Sequence, residues 1–124
     1  MITYKGSIRS TARLEVSGTL CKQDYLAALP VLEGLHQKHR PVNYVIELVD
    51  FHGWTSPAVW QELKFDATHA RDFGRVAIVG ETKWQGFATK IGGFIFPAEV
   101  RFFHRDELAA AQQWAGAADS FPRI

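Results

Sequence analysis

The stretch that decides the fold is Val42–Phe73, VNYVIELVDFHGWTSPAVWQELKFDATHARDF. Its first part, Val42–Val49, is apolar and β-branched apart from Glu47, which is typical of a strand. A turn is predicted over residues 50–55. Ser56-Pro57 then predicts a helix start, because serine caps free N–H groups and proline at the first helical position lacks only an N–H that had no partner. The order of strand, turn and helix indicates an α/β fold.

Sequence patterns on both sides of this stretch predict further strands and helices. Strands alternating with helices imply right-handed crossovers and a mostly parallel sheet, with the first strands antiparallel at its edge. The length of 124 residues suits one domain spanning 1–124. We therefore expect a single-domain α/β fold with a mixed, mostly parallel sheet of about five strands. The further strands are predicted over Ile2–Lys5, Thr11–Ser17, Arg75–Gly80 and Glu99–His104, and the further helices over Lys22–His39, Lys83–Phe96 and Asp106–Ala118.

Charge and apolar content narrow the possible partners and location. The net charge of +1, from 14 basic and 13 acidic residues, does not predict nucleic acid as a partner. Cys21 is the single cysteine, so no intrachain disulfide forms and a reducing compartment fits. The sequence has no apolar run near the ~20 residues that a membrane span needs, and its start lacks the apolar core of a signal peptide. We expect a cytoplasmic protein.

The segment Lys83–Phe96, KWQGFATKIGGFIF, is very apolar, basic at its edge and interrupted by Gly92-Gly93. One interpretation is a crossover helix whose aromatic side chains lie in the core. The other is a movable lid over an apolar pocket, or an element that contacts a membrane surface. Glycine inside a helix costs ~1 kcal/mol relative to alanine, which fits a segment that can bend.

The turn contains the residue types of a nucleophilic triad, Asp50, His52 and Ser56. The sequence has no Gly-x-Ser-x-Gly elbow, and residues this close along a turn rarely converge. Asp50 is better interpreted as a partner of turn N–H groups, and Ser56 as a helix cap. We predict no catalytic residues.

Metal and cofactor sites are also not predicted. The five histidines show no spacing typical of a metal site: His36, His39, His52, His69 and His104. The glycines form neither of the known phosphate-binding loops. A buried carboxylate is costly unless it is paired, so Glu47 is predicted to form a structural ion pair or hydrogen bond, with Arg101 or Lys64 as candidate partners, in preference to a catalytic role.

A set of distinctive residues, rich in paired Trp and Phe positions, is spread over nearly the whole chain: Gly18, Asp24-Tyr25, Glu47–Thr55, Trp60, Leu63–Phe65, His69, Asp72–Gly80, Trp84 and Pro97–Phe103. Together they resemble the bacterial SpoIIAA-like family of STAS-type proteins. The resemblance implies a STAS/CRAL-TRIO-like α/β domain. It also implies two functions found among such proteins: CRAL-TRIO relatives hold non-polar molecules behind a mobile helix, and STAS regulators bind partner proteins under control of a phosphorylated serine.

The first of these functions gives the leading prediction, which is non-enzymatic binding of a non-polar small molecule or lipid under a mobile helix, with peripheral membrane contact. Trp54 favours it, because a bulky side chain stands where STAS regulators carry a compact turn. The predicted ligand-binding residues are Trp54, Trp60, Trp84, Phe87, Ile91 and Phe94, with Asp50, His52 and Thr55 as polar groups.

The alternative prediction is a STAS-type module that binds a partner protein and is phosphorylated at Ser56 or Thr55. Both residues lie where a helix N-terminus would stabilise a phosphate. A homodimer is also predicted, through Phe65 or the Lys83–Phe96 segment, because both place aromatic side chains where water could reach them.

Overall fold

The computed structural model describes residues 1–38, 42–54, 73–86 and 99–120. Within these ranges the chain forms one five-stranded sheet. The elements are β1 (Ile2–Ile8), β2 (Thr11–Leu20), α1 (Lys22–Lys38), β3 (Val42–Trp54), β4 (Phe73–Gly80), β5 (Glu99–His104) and α2 (Leu108–Ser120), with 3-10 turns at Thr82–Trp84 and Arg105–Glu107.

The strands lie in the sheet in the order β1-β2-β3-β4-β5. β1 is antiparallel to β2, and every other neighbouring pair is parallel. A single row of paired residues crosses the four parallel strands, from Leu14 through Ile46 and Ile78 to Phe102. The predicted α/β fold with a mixed, mostly parallel sheet is confirmed.

The two faces of the sheet bury different sets of side chains. On the α1 face, Leu32 and Leu35 pack over a core that contains Ala12, Leu14 and Val16, as the alternation in β2 predicts. On the α2 face, Ala111 and Ala115 are fully buried. Each helix therefore covers one face, and the remaining members of the α2 cluster are Val45, Ala77, Val79 and Phe103.

The first two strands are longer than predicted. β1 continues past Lys5 to Ile8, because a bulge between Tyr4 and Ser7 absorbs the positive φ of Gly6, 104°. β2 likewise continues past Ser17, through Gly18, to Leu20.

The predicted turn after Val49 is wrong, because β3 continues to Trp54 and pairs there with the end of β2. The register shifts on both sides of Gly18, and Asp50 and Gly53 adopt φ values of 49° and 106°. Bulges of this kind insert an extra residue and bend a strand without ending it. They bring residues 50–54 to the end of the sheet as strand.

At the opposite end of the sheet, Asn43 connects three strands. Its side chain is fully buried, donates to Thr11 Oγ1 of β2 at 3.5 Å, and accepts from the Arg75 N–H of β4 at 2.9 Å. A Cβ at Gly74 would lie 1.9 Å from Asn43 Oδ1. Only glycine fits at position 74 while this contact persists.

Candidate functional site

The carboxyl ends of β3, β4 and β5 meet at one end of the sheet, where open α/β sheets bind ligands. We call this place the carboxyl edge and define it as residues 50–54, 80–84 and 104–107. The bulged end of β3, the 3-10 turn after β4 and the 3-10 turn after β5 supply its side chains.

An aromatic pair lies at the centre of the carboxyl edge. Phe51 is 3% exposed and belongs to the core on the α1 face, whereas Trp84 is half-buried and packs against that core. The ring centroids are 4.7 Å apart with an interplanar angle of 60°, a tilted geometry that aromatic pairs favour. The Trp84 N–H donates to the Glu81 carbonyl at 2.9 Å, which fixes the turn that holds the ring.

Gly53 lies beside this pair. A Cβ built at Gly53 would contact the Trp84 ring at 3.9 Å, and the φ of 106° is one that side chains rarely adopt. The β3 backbone therefore approaches the indole closely, and glycine is required by conformation more than by space.

Charged side chains surround the aromatic pair on the solvent side. The Lys83 ammonium lies 5.7 Å from the Trp84 ring centroid and 3.5 Å from the Glu81 carboxylate. Glu81 also faces the Arg105 guanidinium at 3.8 Å. All three side chains are more than half exposed, so these ion pairs add little stability and their charges stay accessible to a ligand.

The end of β5 is ordered by local hydrogen bonds. His104 Nδ1 accepts from the Asp106 N–H at 3.4 Å, while the Glu107 carboxylate accepts from the His104 N–H at 2.9 Å. This reciprocal capping box starts the turn that leads into α2. It fixes the position at which Arg105 leaves the sheet.

The end of β2 carries a second capping arrangement, at the start of α1. The Asp24 carboxylate accepts from the Cys21 N–H at 3.0 Å and from its thiol at 3.2 Å, and it lies 3.4 Å from the Met1 ammonium. Desolvation by burial would raise the pKa of Asp24, but the hydrogen bonds from Cys21 and the ammonium charge together hold it below 3.8.

The structure brings some of the predicted ligand-binding residues to the carboxyl edge. Asp50 and His52 are exposed near the end of β3, Trp54 ends that strand, and Trp84 follows β4. Sequence reasoning missed Phe51, Glu81 and Arg105. The alternation within DFHGW was the available signal for Phe51, since a strand continuing past Asp50 would place alternate residues inside. The predicted residues Thr55, Ser56, Trp60, Phe65, Phe87, Ile91 and Phe94 lie outside the described residues.

Glu47 forms a structural ion pair, as expected, but with a different partner. Its carboxylate accepts from Arg13 of the neighbouring strand β2. The predicted partner Arg101 is wrong, because it lies on β5, beyond β4, and stacks over Phe103 at 5.0 Å. Lys64 is outside the described ranges. Register decides the pairing, since Arg13 lies opposite Val45, on the same face as Glu47.

The described part of the chain shows neither a metal-ligand cluster nor a membrane-spanning helix. Its histidines, cysteine and carboxylates nowhere gather in a group of three that could hold a metal ion. Its helices include none long and apolar enough to cross a membrane.

Comparison with known proteins identifies relatives without assigning an activity. The SpoIIAA-like family model matches residues 11–116. The fold is similar to the crystal structure of an uncharacterised protein from Shewanella loihica PV-4 with a SpoIIAA-like fold, with 28% sequence identity and a TM-score of 0.68. The match covers 93% of this chain and 92% of that one. No curated protein matches the sequence. The family match over most of the chain, together with the shared fold, shows that the protein belongs to the SpoIIAA-like family.

Proposed function

We propose that the protein is a non-enzymatic binding protein for a non-polar small molecule or lipid, which it holds at the carboxyl edge. The observation that carries this proposal is the half-buried Trp84 packed on the buried Phe51, with ring centroids 4.7 Å apart. Small-molecule sites are mostly apolar, and in open α/β sheets they lie beyond the carboxyl ends of the strands. An aromatic pair at this place supplies the apolar part of such a site.

The polar part of the site comes from the end of β3. Ligand pockets combine apolar walls with a few polar groups that fix orientation. Asp50 and His52 are both exposed near Phe51 in the sequence, and either can supply a hydrogen bond to a ligand. The other predicted ligand residues, the mobile helix and the membrane contact of the Lys83–Phe96 segment remain predictions from the sequence.

The test starts with native mass spectrometry of the purified protein, in which we expect a co-purifying lipophile. Dodecanol is then titrated into the delipidated protein by calorimetry. Trp84→Ala should weaken dodecanol binding about tenfold, because removing an aromatic contact costs ~1.4 kcal/mol. Trp84 fluorescence should shift to the blue as the ligand excludes water from the ring.

Trp114→Ala is the matched control, because Trp114 is also half-buried but packs on the α2 face, 5.8 Å from Phe103. It should leave dodecanol binding unchanged. Absence of a co-purifying lipophile and of dodecanol binding, or equal loss of binding in both variants, would contradict the proposal.

The alternative, a partner-binding module phosphorylated at Thr55 or Ser56, rests on the sequence, because both residues lie outside the described ranges. The same mass spectra separate it from the leading proposal. A phosphorylated fraction in protein from its own host, without a bound lipophile, would favour the alternative.

A further inference from the structure

The ends of β3, β4 and β5 carry more negative than positive charge. In the described part of the carboxyl edge, four carboxylates stand against the two cations Lys83 and Arg105. The carboxylates belong to Asp50, Glu81, Asp106 and Glu107. A cluster of like charges beside an apolar surface sets a local potential that attracts ligands of the opposite sign. The excess of negative charge at this edge therefore favours a lipophile whose head group is positively charged.

One side chain of the protein already occupies the position that a charged ligand group would take. The Lys83 ammonium lies over the Trp84 ring, 5.7 Å from its centroid, and 3.5 Å from the Glu81 carboxylate. The negative face of an indole attracts an ammonium, and aromatic faces are the usual recognition element for quaternary ammonium ligands. Trp84 and Glu81 together form a site suited to an ammonium group.

Lys83 is held there only weakly. Its side chain is 66% exposed, and a flexible exposed ion pair of this kind adds little net free energy. Glu81 is shared with Arg105 at 3.8 Å, so it stays at the edge when Lys83 leaves. A ligand ammonium that brings an apolar tail can displace Lys83, because burial of the tail adds ~0.8 kcal/mol per CH₂ group.

Accepting the lipophile-binding function proposed above, we propose that the ligand carries an ammonium head. The head replaces Lys83 over Trp84 with Glu81 as its counter-ion, and the tail lies along the half-buried Trp84 ring. A carboxylate head at the same position would instead meet the Glu81 carboxylate as a like charge, which disfavours it although Lys83 lies nearby.

The test compares three probes with the same tail and different heads: dodecyltrimethylammonium, dodecanol and dodecanoate. Each is titrated by calorimetry at pH 7.5 and low salt, the two ionic probes below their critical micelle concentrations and dodecanol below its solubility limit. The ammonium probe should bind tightest, by about 3- to 10-fold over dodecanol, which corresponds to a moderately exposed cation–π contact with its counter-ion. Dodecanoate should bind most weakly.

Two variants move the head-group preference in opposite directions. Glu81→Gln removes the counter-ion and should weaken binding of the ammonium probe about fivefold while leaving the affinity for dodecanol unchanged. Lys83→Ala removes the competing cation and should strengthen binding of the ammonium probe. Lys5→Ala and Glu15→Gln are matched controls, because these residues form a partly exposed ion pair at 3.4 Å on β1 and β2. Neither control should change the order of the probes.

The outcomes separate this inference from the proposed function. Dodecanoate binding as tightly as the ammonium probe, or a Glu81→Gln variant with an unchanged preference, overturns the ammonium head and leaves lipophile binding in place. Failure of all three probes to bind overturns both.

Discussion

At the scale of single residues, the contact between Gly74 and Asn43 tightly constrains the side chain at position 74. Gly74→Ala would place a Cβ 1.9 Å from Asn43 Oδ1 and displace a buried amide that bonds to β4. We expect a loss of about 3 kcal/mol in the free energy of unfolding, measured with urea, from overpacking and a broken buried hydrogen bond. Gly34→Ala is the control, since nothing lies within 4 Å of its added Cβ in the middle of α1. That change should stabilise by about 0.5–1 kcal/mol. Equal midpoints for the two variants would contradict this account.

At the scale of elements, the start of α1 depends on the Asp24 carboxylate. Its lowered pKa means that the ionised form is favoured in the folded state. The stabilisation is therefore complete above the unfolded pKa of about 3.9 and is lost as the pH falls through the lower, folded pKa. Asp24→Asn should cost about 1 kcal/mol of stability at pH 7, and the difference from wild type should shrink below pH 4. Urea denaturation at pH 7, 4 and 2.5 measures it. Glu33→Gln is the control, because it removes an exposed carboxylate of the same helix. If the stability difference between Glu33→Gln and wild type depends on pH as strongly as that of Asp24→Asn, the Asp24 explanation is ruled out.

The elements also show what could be predicted from the sequence. The bounds of β5 match the prediction, because Glu99–His104 is short, carries the apolar residues Val100, Phe102 and Phe103, and is followed by a clear helix start. The end of β3 was missed because Asp and Gly, which occupy positions 50 and 53, are residue types common in turns. A bulge uses the same positive φ values as a turn, so the sequence does not distinguish the two. The Phe51–Trp84 pair and the Arg13–Glu47 ion pair each join residues more than thirty positions apart. Both contacts depend on the register between strands, which the pattern of residues along one sequence does not determine.

At the scale of the whole molecule, the predicted homodimer is the remaining question. Light scattering should give a dimer mass for the wild type and a lower mass for Phe65→Ser, because the change removes an aromatic side chain from the predicted interface. Val31→Ser is the control, since Val31 is 39% exposed on α1 and belongs to neither segment that the sequence predicts for the interface. A wild-type protein that stays monomeric at high concentration contradicts the dimer, and loss of mass in the Val31 variant alone would move the interface to α1.

The order of strands in the sheet follows the order of strands in the chain. No strand has to be inserted between two strands that are already paired, so the sheet can grow by addition at one edge while the chain is being synthesised. The antiparallel hairpin of β1 and β2 provides the first template, and each later strand needs only its predecessor. Because each strand pairs with its neighbour in the chain, the crossovers between parallel strands are no longer than one connection each, which favours faster folding than a non-sequential strand order and limits the exposure of unpaired strands to other nascent chains. Arg105 directly follows β5, the last strand to join the described sheet. The charged side chains of the carboxyl edge therefore come together only after β5 has paired with β4.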